Sequence, residues 1–310
     1  MNSYAPIVVF AFNRPEHLKK MITSLKSNEE IINSDLFIFV DGARDSVKED
    51  AEKVYQVQEY VKTITGFKSI TYSFAPQNKG LEKSIIDGVS QIINRYGKVI
   101  VLEDDLILTK NCISYLNQGL DRYETNKQVF SICGCTNKVD VPLNYKADSY
   151  FCTRSSPCGW AMWSDRWNSI DWTLDNFDVH SRYSFAFNKW GGSDCWRMLK
   201  LWKVGKIDTW DIPMWFSQFL QNKVSLFPIK SFVENNGFEG DGTNCRRWTR
   251  FKYELEQTGK KEFVWPDTIA IEPRLYKEAM SYHGIVIRIW SRVMYVIYDC
   301  LFFVKSFWRK

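Results

Sequence analysis

The first third of the chain alternates between two periods of hydrophobicity, and this alternation constrains the fold more than any other feature. Four short apolar runs are separated by stretches with helical spacing. The pattern predicts a β-α-β-α-β-α-β arrangement, and therefore a parallel sheet covered by helices. The four runs are Ile7 to Phe12, Leu36 to Val40, Ile70 to Phe74 and Val99 to Leu102.

Sheets of this kind bind ligands at the carboxyl ends of their strands. Polar residues stand after all four predicted strands, in the order Asn13-Arg14, Asp41-Gly42, Gln77-Asn78-Lys79 and Glu103-Asp104-Asp105. No GxGxxG or GxxxxGK[ST] motif follows any of them, so the sequence contains neither a dinucleotide fingerprint nor a P-loop. A nucleotide bound at this edge must be held in another way.

The acidic cluster Glu103, Asp104 and Asp105 is the strongest single signal. Neighbouring carboxylates raise one another's proton affinity unless a cation or a hydrogen-bond donor compensates. The cluster therefore indicates a divalent-metal site with Asp104 or Asp105 as a ligand, and oxygen ligands suit Mn or Mg. The alternative is a solvated acidic loop, or acids at the start of the helix predicted from about Lys110 to Tyr123.

A further acid, Asp211, lies between Trp210 and Trp215 in the sequence. Aromatic neighbours that partly desolvate a carboxyl raise its pKa towards the range of a general base. Pro213 fits the first turn of a helix, so Asp211 is also a candidate helix N-cap, and the two roles are compatible. Asp165 and Glu234 are the alternative bases.

The middle of the chain is rich in tryptophan. Nine of its 13 tryptophans lie between residues 160 and 215. Trp160, Trp163 and Trp215 are candidates for stacking on a sugar ring, although side chains of this size usually pack in the core. A Gly-rich polar loop from Phe232 to Asn244 either closes over a substrate or forms turns.

The last segment, from about Gly284, predicts an amphipathic helix with a wide apolar face. Arg288, Arg292 and Asp299 interrupt the apolar run, so an interfacial helix on a membrane surface is favoured over a membrane span. The basic residues and Trp290 suit anionic headgroups. The alternative is a helix packed on the core or on a partner subunit.

Composition excludes some classes of function. The 310 residues carry a net charge of only +5, which is too small for a dedicated nucleic-acid-binding protein. No signal peptide precedes the first predicted strand, so we expect a cytoplasmic protein, peripheral on the inner face of the plasma membrane if the last helix binds it. The sequence predicts two lobes of one fold and a terminal helix, at residues 1–125, 126–283 and 284–310.

Seven motifs, in this order, resemble those of bacterial nucleotide-sugar glycosyltransferases of the GT-A type. Within that superfamily they are similar to the eukaryotic N-acetylglucosaminyltransferases that start complex glycan branches, whose metal motif is also Glu-Asp-Asp-Leu. The resemblance covers roughly Ala5 to Thr243. The motifs are Phe10-Ala11-Phe12-Asn13-Arg14-Pro15, Val40-Asp41-Gly42, Asn78-Lys79-Gly80-Leu81, Leu102 to Leu106, Cys158-Gly159-Trp160, Trp210-Asp211 and Asn236-Gly237-Phe238.

The resemblance implies a GT-A (Rossmann-like) α/β fold, with a mixed, mainly parallel sheet flanked by helices and a Trp-rich acceptor lobe. It also implies roles for individual residues. The uridine and ribose would contact Ala11, Arg14 and Asp41, and the nucleotide-sugar would lie beside Lys79, Glu103 and Asp104. Asp105 would bind the metal on the diphosphate, and Asp211 would correspond to the catalytic Asp of the family, the base that takes the proton from the acceptor hydroxyl. The acceptor would be bound by Gly159, Trp160, Trp210 and Asn236.

We therefore expect an inverting, metal-dependent transfer of a sugar, N-acetylglucosamine among the candidates, from a UDP-sugar to a glycan or lipid-linked glycan in surface polysaccharide synthesis. A retaining reaction is the variant that would not need Asp211 as a base. Two other functions stay open: a nucleotidyltransferase that makes sugar nucleotides, and a non-catalytic, membrane-associated binding protein. The segment from Asn168 to Trp190 has no counterpart in the resemblance, and we expect it to determine acceptor specificity.

Overall fold

A computed structural model describes residues 4–237 and 248–307, and the side chains of this range as far as residue 298. Within these ranges the chain forms ten strands and ten α-helices. The strands are β1 (Ile7–Ala11), β2 (Asp35–Val40), β3 (Ser69–Phe74), β4 (Lys98–Glu103), β5 (Leu106–Leu108), β6 (Val129–Cys133), β7 (Ser149–Cys152), β8 (Trp160–Trp163), β9 (Val224–Pro228) and β10 (Val233–Asn235). The helices are α1 (Pro15–Leu25), α2 (Lys48–Lys62), α3 (Leu81–Tyr96), α4 (Cys112–Tyr123), α5 (Ser164–Trp167), α6 (Ser184–Gly191), α7 (Cys195–Lys203), α8 (Asp211–Leu220), α9 (Pro273–Ser281) and α10 (Ile285–Phe307).

Eight strands form one mixed sheet in the order β3-β2-β1-β4-β8-β6-β9-β7. The first four are parallel to one another, as the alternation of periods predicts. β8 runs antiparallel to both β4 and β6, β9 is parallel to β6, and β7 is antiparallel to β9. The sheet is therefore mainly parallel, and the predicted fold class is confirmed.

Strand β1 shows why this sheet is covered on both faces. All five of its residues are buried. Ile7, Val9 and Ala11 belong to one hydrophobic core, and Val8 and Phe10 belong to a second core. Successive side chains of a strand point to opposite faces, so a continuous apolar run can only be buried when both faces are covered.

The Trp-rich segment fills the second core. Trp160, Trp167, Trp202, Trp210 and Trp215 are all buried there. The sheet crosses the division expected between residues 125 and 126, because β8 of the second lobe pairs with β4 of the first. The two predicted lobes thus share one continuous sheet.

Helix α10 has a largely exposed apolar face. Val286, Ile289, Trp290, Val293 and Val296 are each 46% exposed or more. The amphipathic helix predicted from about Gly284 is therefore present. Across the part of the chain that the structure describes, no helix is long and apolar enough to cross a membrane.

Candidate active site

The carboxyl ends of the adjacent strands β1 and β4 bring Arg14 to the acidic cluster. Phe10 pairs with Glu103 in the register of the two strands, so the residues that follow each strand meet at one edge. Arg14 Nη2 donates to the Asp104 carboxylate and, at 3.1 Å, to Asp105 Oδ2. Asp104 Oδ2 also accepts the backbone N–H of Phe12 at 3.3 Å. The structure thus brings four predicted site residues together.

The acidic cluster is buried as well as crowded. Asp104 is 3% exposed and Asp105 8%. Burial raises the pKa of Asp104 to about 6, against the opposing effect of the Arg14 guanidinium. Burial, with Asp105 as the next cause, also raises the pKa of Glu103 well above its ordinary value. The single guanidinium of Arg14 lies beside three carboxyl groups. Further positive charge would therefore stabilise the ionised form of the cluster.

The short strand pair β5–β10 forms the next wall of the site. Asn235 pairs with Leu106, and the backbone N–H of Asn236 donates to the Asp105 carbonyl oxygen at 2.8 Å. A Cβ added at Gly237 would collide with the Asp105 carboxylate, so a larger residue here would displace that side chain. The predicted acceptor residue Asn236 therefore lies directly beside the predicted metal ligand.

A cavity of about 590 Å³ opens beside this strand pair. We call it the Asn236 cavity. The runner-up base Glu234 lies in its wall, among Lys138, Glu234, Asn235, Asn236, Thr249, Phe251, Lys252 and Tyr253. The cavity is large enough for a sugar residue, because ligand pockets for small molecules start at roughly 300 Å³.

Asp41 has a structural role that the sequence does not reveal. Its Oδ1 accepts the backbone N–H groups of Gly42 and Lys79, both at 2.9 Å. Its Oδ2 accepts the Asn78 amide and the Gly80 N–H, both at 3.1 Å. Four donors thus occupy the carboxylate, which fastens the loop before α3 to the end of β2. A direct contact of Asp41 with a ribose stays a prediction.

Lys79 and Ala11 lie on the same edge. Lys79 Nζ lies 3.6 Å from Asp87 Oδ2, and both residues line a smaller cavity of about 150 Å³ with Asp41. Ala11 is 6% exposed, and its carbonyl oxygen accepts the Asp41 N–H at 3.0 Å. Ala11 therefore lies on the strand next to β4 and its acidic cluster, whereas Asp41 and the Lys79 backbone that it holds lie at the end of β2, one strand further away.

Asp211 is the first residue of α8, and Trp210 occupies the N-cap position. Thr209 Oγ1 donates to Asp211 Oδ1 at 2.6 Å. Burial raises the pKa of Asp211, while the Thr209 hydrogen bond and the charge of Arg154 oppose this rise. The direction is the one that a general base requires, and the role of Asp211 as the base stays a prediction.

Two tryptophans connect Asp211 to the central sheet. Trp160 pairs with Val101 of β4, and its ring stacks on Trp210 with centroids 5.2 Å apart. Trp160 is 1% and Trp210 2% exposed, so both rings are enclosed in the core. The expectation that these rings bind an acceptor is corrected here, because neither ring is exposed to stack on a sugar. The same burial removes Trp163 and Trp215 as sugar-stacking surfaces.

Gly159 is explained by backbone geometry. Its φ is +66°, a region that favours glycine, and its carbonyl oxygen accepts the Gly134 N–H at 2.7 Å. An added Cβ would lie 2.9 Å from Val233 Cγ2. This tight turn brings Cys158 beside the acidic cluster, where Asn235 Nδ2 lies 3.7 Å from Cys158 Sγ.

Arg154 is the main residue that sequence reasoning missed. Its guanidinium covers the ring of Trp215 at 3.8 Å, one helical turn beyond Asp211. No motif surrounds Arg154 in the sequence, and 57 residues separate it from Asp211. The fold brings it near Asp211 through its contact with Trp215 on the same helix.

The side chains at this edge fit a hard divalent cation, but they do not supply all of its ligands. Among residues 4–237 and 248–307, no three His, Cys, Asp or Glu side chains converge in a way that could hold a metal by themselves. Asp105 offers a carboxylate at the carboxyl edge of the parallel strands, where it is 8% exposed. Mg²⁺ and related cations commonly use one or two carboxylates together with substrate phosphates, so this residue fits such an ion.

Two solved structures are similar to this chain at low sequence identity. S. aureus TarS (residues 1–349) has a TM-score of 0.42 and 10% identity, over 76% of this chain and 61% of that one. GalNAc-T7, solved with UDP, GalNAc and Mn²⁺, has a TM-score of 0.48 and 12% identity, over 76% of this chain and 44% of that one. The chain thus spans less than two thirds of each. No curated protein sequence matches it.

A family model gives the clearer result. The model described as glycosyl transferase family 2 matches residues 7–182, more than half of the chain. This range contains Arg14, the acidic cluster and Trp160, and it ends before Asp211. Of the three functions that the sequence left open, the family supports sugar transfer. The chain therefore belongs to glycosyl transferase family 2.

Proposed function

We propose that this glycosyltransferase moves a sugar from a UDP-sugar to a hydroxyl group of a glycan acceptor, with inversion at the anomeric carbon. The observation that carries the proposal is the buried cluster of Glu103, Asp104 and Asp105 with Arg14 at the carboxyl edge of a parallel sheet. A diphosphate with a divalent cation fits this edge, because the cation supplies the positive charge that one arginine leaves lacking.

In this proposal Asp105 holds Mn or Mg on the diphosphate of the donor. The cation stabilises the charge that grows on the leaving diphosphate. Arg14 orients Asp104 and Asp105 through its shared guanidinium. Glu103 and Asp104 lie beside the sugar, while Ala11, Asp41 and Lys79 form the neighbouring edge for the nucleoside. N-acetylglucosamine is the sugar that the sequence resemblance favours.

Asp211 is proposed as the general base. It stands at the start of α8 with a raised pKa, and Thr209 fixes one of its oxygen atoms. In an inverting transfer a carboxylate removes the proton from the acceptor hydroxyl as the oxygen attacks the anomeric carbon. Gly159 and Asn236 mark the acceptor side, and Asn236 lies in the wall of the Asn236 cavity.

The acceptor is proposed to be a lipid-linked glycan met at a membrane surface. The support is the exposed apolar face of α10, on which Trp290 is 53% exposed, together with the exposed Arg292 on the same helix. Aromatic and basic residues together suit the interface of an anionic bilayer. The enzyme would then act on the inner face of the plasma membrane in capsule, lipopolysaccharide or related polysaccharide synthesis.

Calorimetric titration with UDP, with and without Mn²⁺, tests the donor site. The native chain should bind UDP in a metal-dependent way, and Asp105→Ala should lose this binding. Asp45→Ala is the matched control, because Asp45 is an exposed acid on the same edge of the sheet. Failure of the folded native chain to bind UDP, or full binding by Asp105→Ala, would overturn the assignment.

A further inference from the structure

Three arginines from distant parts of the chain converge around His283. Arg154 follows β7, Arg250 precedes α9, and Arg288 lies in the first turn of α10. Arg154 Nη1 lies 3.0 Å from His283 Nδ1, so the neutral ring accepts a hydrogen bond. Burial and the charges of all three arginines lower the pKa of His283 well below its ordinary value. We call these three residues the arginine cluster.

The cluster has little compensating negative charge. Arg288 pairs with Asp194 at 3.0 Å and donates to Ser193 Oγ at 2.9 Å. Arg154 and Arg250 have no carboxylate within ion-pair distance among the described residues. Guanidinium groups held together in this way repel one another unless an anion lies between them.

Backbone contacts hold two of these guanidinium groups in place. Arg154 Nη1 donates to the Gly191 carbonyl oxygen at 2.7 Å, and Arg250 Nε donates to the Tyr282 carbonyl oxygen at 2.8 Å. A guanidinium has five N–H donors, so both side chains retain donors for a ligand. Fixed arginines with unused donors are the usual means of binding phosphate oxygens.

The cluster lies between the proposed base and the apolar helix. Arg154 affects the pKa of Asp211 and covers Trp215 of the same helix. On the other side, Arg288 is followed at once by the exposed residues Ile289 and Trp290. An anion bound here would have the proposed base Asp211 on one side and the apolar surface of α10 on the other.

We propose that Arg154, Arg250 and Arg288 bind the phosphate or diphosphate group of a lipid-linked acceptor. The proposal rests on the proposed sugar transfer and names its acceptor class: an amphiphile with its lipid chain along α10, its phosphate on the arginine cluster and its sugar hydroxyl at Asp211. This subsite is separate from the donor diphosphate site, which lies at Arg14 and Asp105.

Calorimetric titration of the full chain with n-octyl phosphate, in the absence of UDP, tests the subsite. The native chain should bind this probe, and Arg154→Gln and Arg250→Gln should each weaken binding at least tenfold. Arg197→Gln is the matched control, because Arg197 is an exposed arginine of α7 outside the cluster. Equal affinity in the native chain and both cluster variants, or no binding at all, would overturn the proposal.

Two further measurements separate this proposal from its alternatives. Cosedimentation with phosphatidylglycerol vesicles should be the same for the native chain and the cluster variants; selective loss in the variants would assign the arginines to lipid headgroups instead.

UDP binding with Mn²⁺ should be unchanged by Arg250→Gln. If UDP fails to bind the native chain, the donor proposal fails while the octyl phosphate result stands on its own. If Arg154→Gln folds poorly, Arg154→Lys is measured in its place. Because this variant keeps the positive charge, it should retain much of the native affinity for n-octyl phosphate.

Discussion

The guanidinium of Arg14 lies 3.1 Å from the Asp105 carboxylate, although 91 residues separate the two in the sequence. The contact exists because β1 and β4 are neighbours in the sheet and their carboxyl ends coincide. Arg14 therefore serves as the resident counter-charge of the acidic cluster, at the position where a cation-bound diphosphate is proposed to bind.

Replacement of Arg14 should make the protein depend on metal for stability. Without metal, Arg14→Gln should lower the free energy of unfolding by about 3 kcal/mol, since removal of one partner leaves buried carboxylates uncompensated. Mn²⁺ should then raise the Tm of the variant by more than it raises the native Tm. Lys19→Gln, which breaks an exposed pair with Glu16, is the control and should have little effect. Equal Tm shifts in the native chain and Arg14→Gln would contradict the prediction.

Replacement of Asp211 should separate chemistry from donor binding. Asp211→Asn should lower kcat by about 10²- to 10⁴-fold, the usual contribution of a general base, with the Kd for UDP unchanged. Thr209→Val removes the hydrogen bond that opposes the raised pKa of Asp211. The acid limb of the kcat–pH profile of Thr209→Val should therefore lie at higher pH than that of the native chain. An unchanged profile and an active Asp211→Asn would assign the base elsewhere, with Glu234 as the next candidate.

Helix α3 should depend on an aspartate that lies far away in sequence. Asp208 accepts the N–H groups of Leu81 at 2.8 Å and Glu82 at 2.9 Å, which caps the start of α3. Asp208→Ala should therefore lower the free energy of unfolding by about 1 kcal/mol in urea denaturation. Asp87→Ala, on the exposed surface of the same helix, should change it by less than about 0.5 kcal/mol. Equal effects of the two variants would show that the cap is not stabilising.

His283 should make stability dependent on pH. The unfolded chain binds a proton at His283 near the ordinary pKa of 6.5, whereas burial and the arginine cluster keep the folded ring neutral. The free energy of unfolding should therefore fall as the pH drops below 6.5, by up to about 1.4 kcal/mol per pH unit. His283→Gln retains an acceptor for Arg154 and does not titrate, so urea denaturation should show a smaller loss between about pH 7.5 and about pH 5.5. A loss as large as that of the native chain would contradict this assignment.

The apolar face of α10 should bind vesicles. The double variant Trp290→Ser, Val293→Ser should reduce cosedimentation with phosphatidylglycerol vesicles several-fold, because both side chains are exposed and would enter the interface. Leu143→Ser is the control, since Leu143 is 97% exposed but lies outside the helix. Vesicle binding that survives in the double variant, or after deletion of residues 284–310, would show that this face has another use.

The sequence predicts the sheet well because its information is local and repeated. The four apolar runs became β1 to β4 with boundaries that differ by at most one residue, and the helix predicted from about Lys110 begins at Cys112. Residues at the ends of β1 and β4 could be predicted to meet, because parallel strands place their carboxyl ends on one edge. Arg14, Asp104 and Asp105 accordingly lie together.

The sequence by itself therefore determined the α/β class, the edge that carries the acidic cluster, and the amphipathic terminal helix. Only the tertiary structure decided which polar and aromatic groups are available for chemistry. It buries Trp160 and Trp210 in the core and occupies the Asp41 carboxylate with four donors. It also gathers Arg154, Arg250 and Arg288 around His283. The physical reason is that exposure and hydrogen-bond occupancy depend on contacts between residues far apart in the chain, which no local pattern encodes.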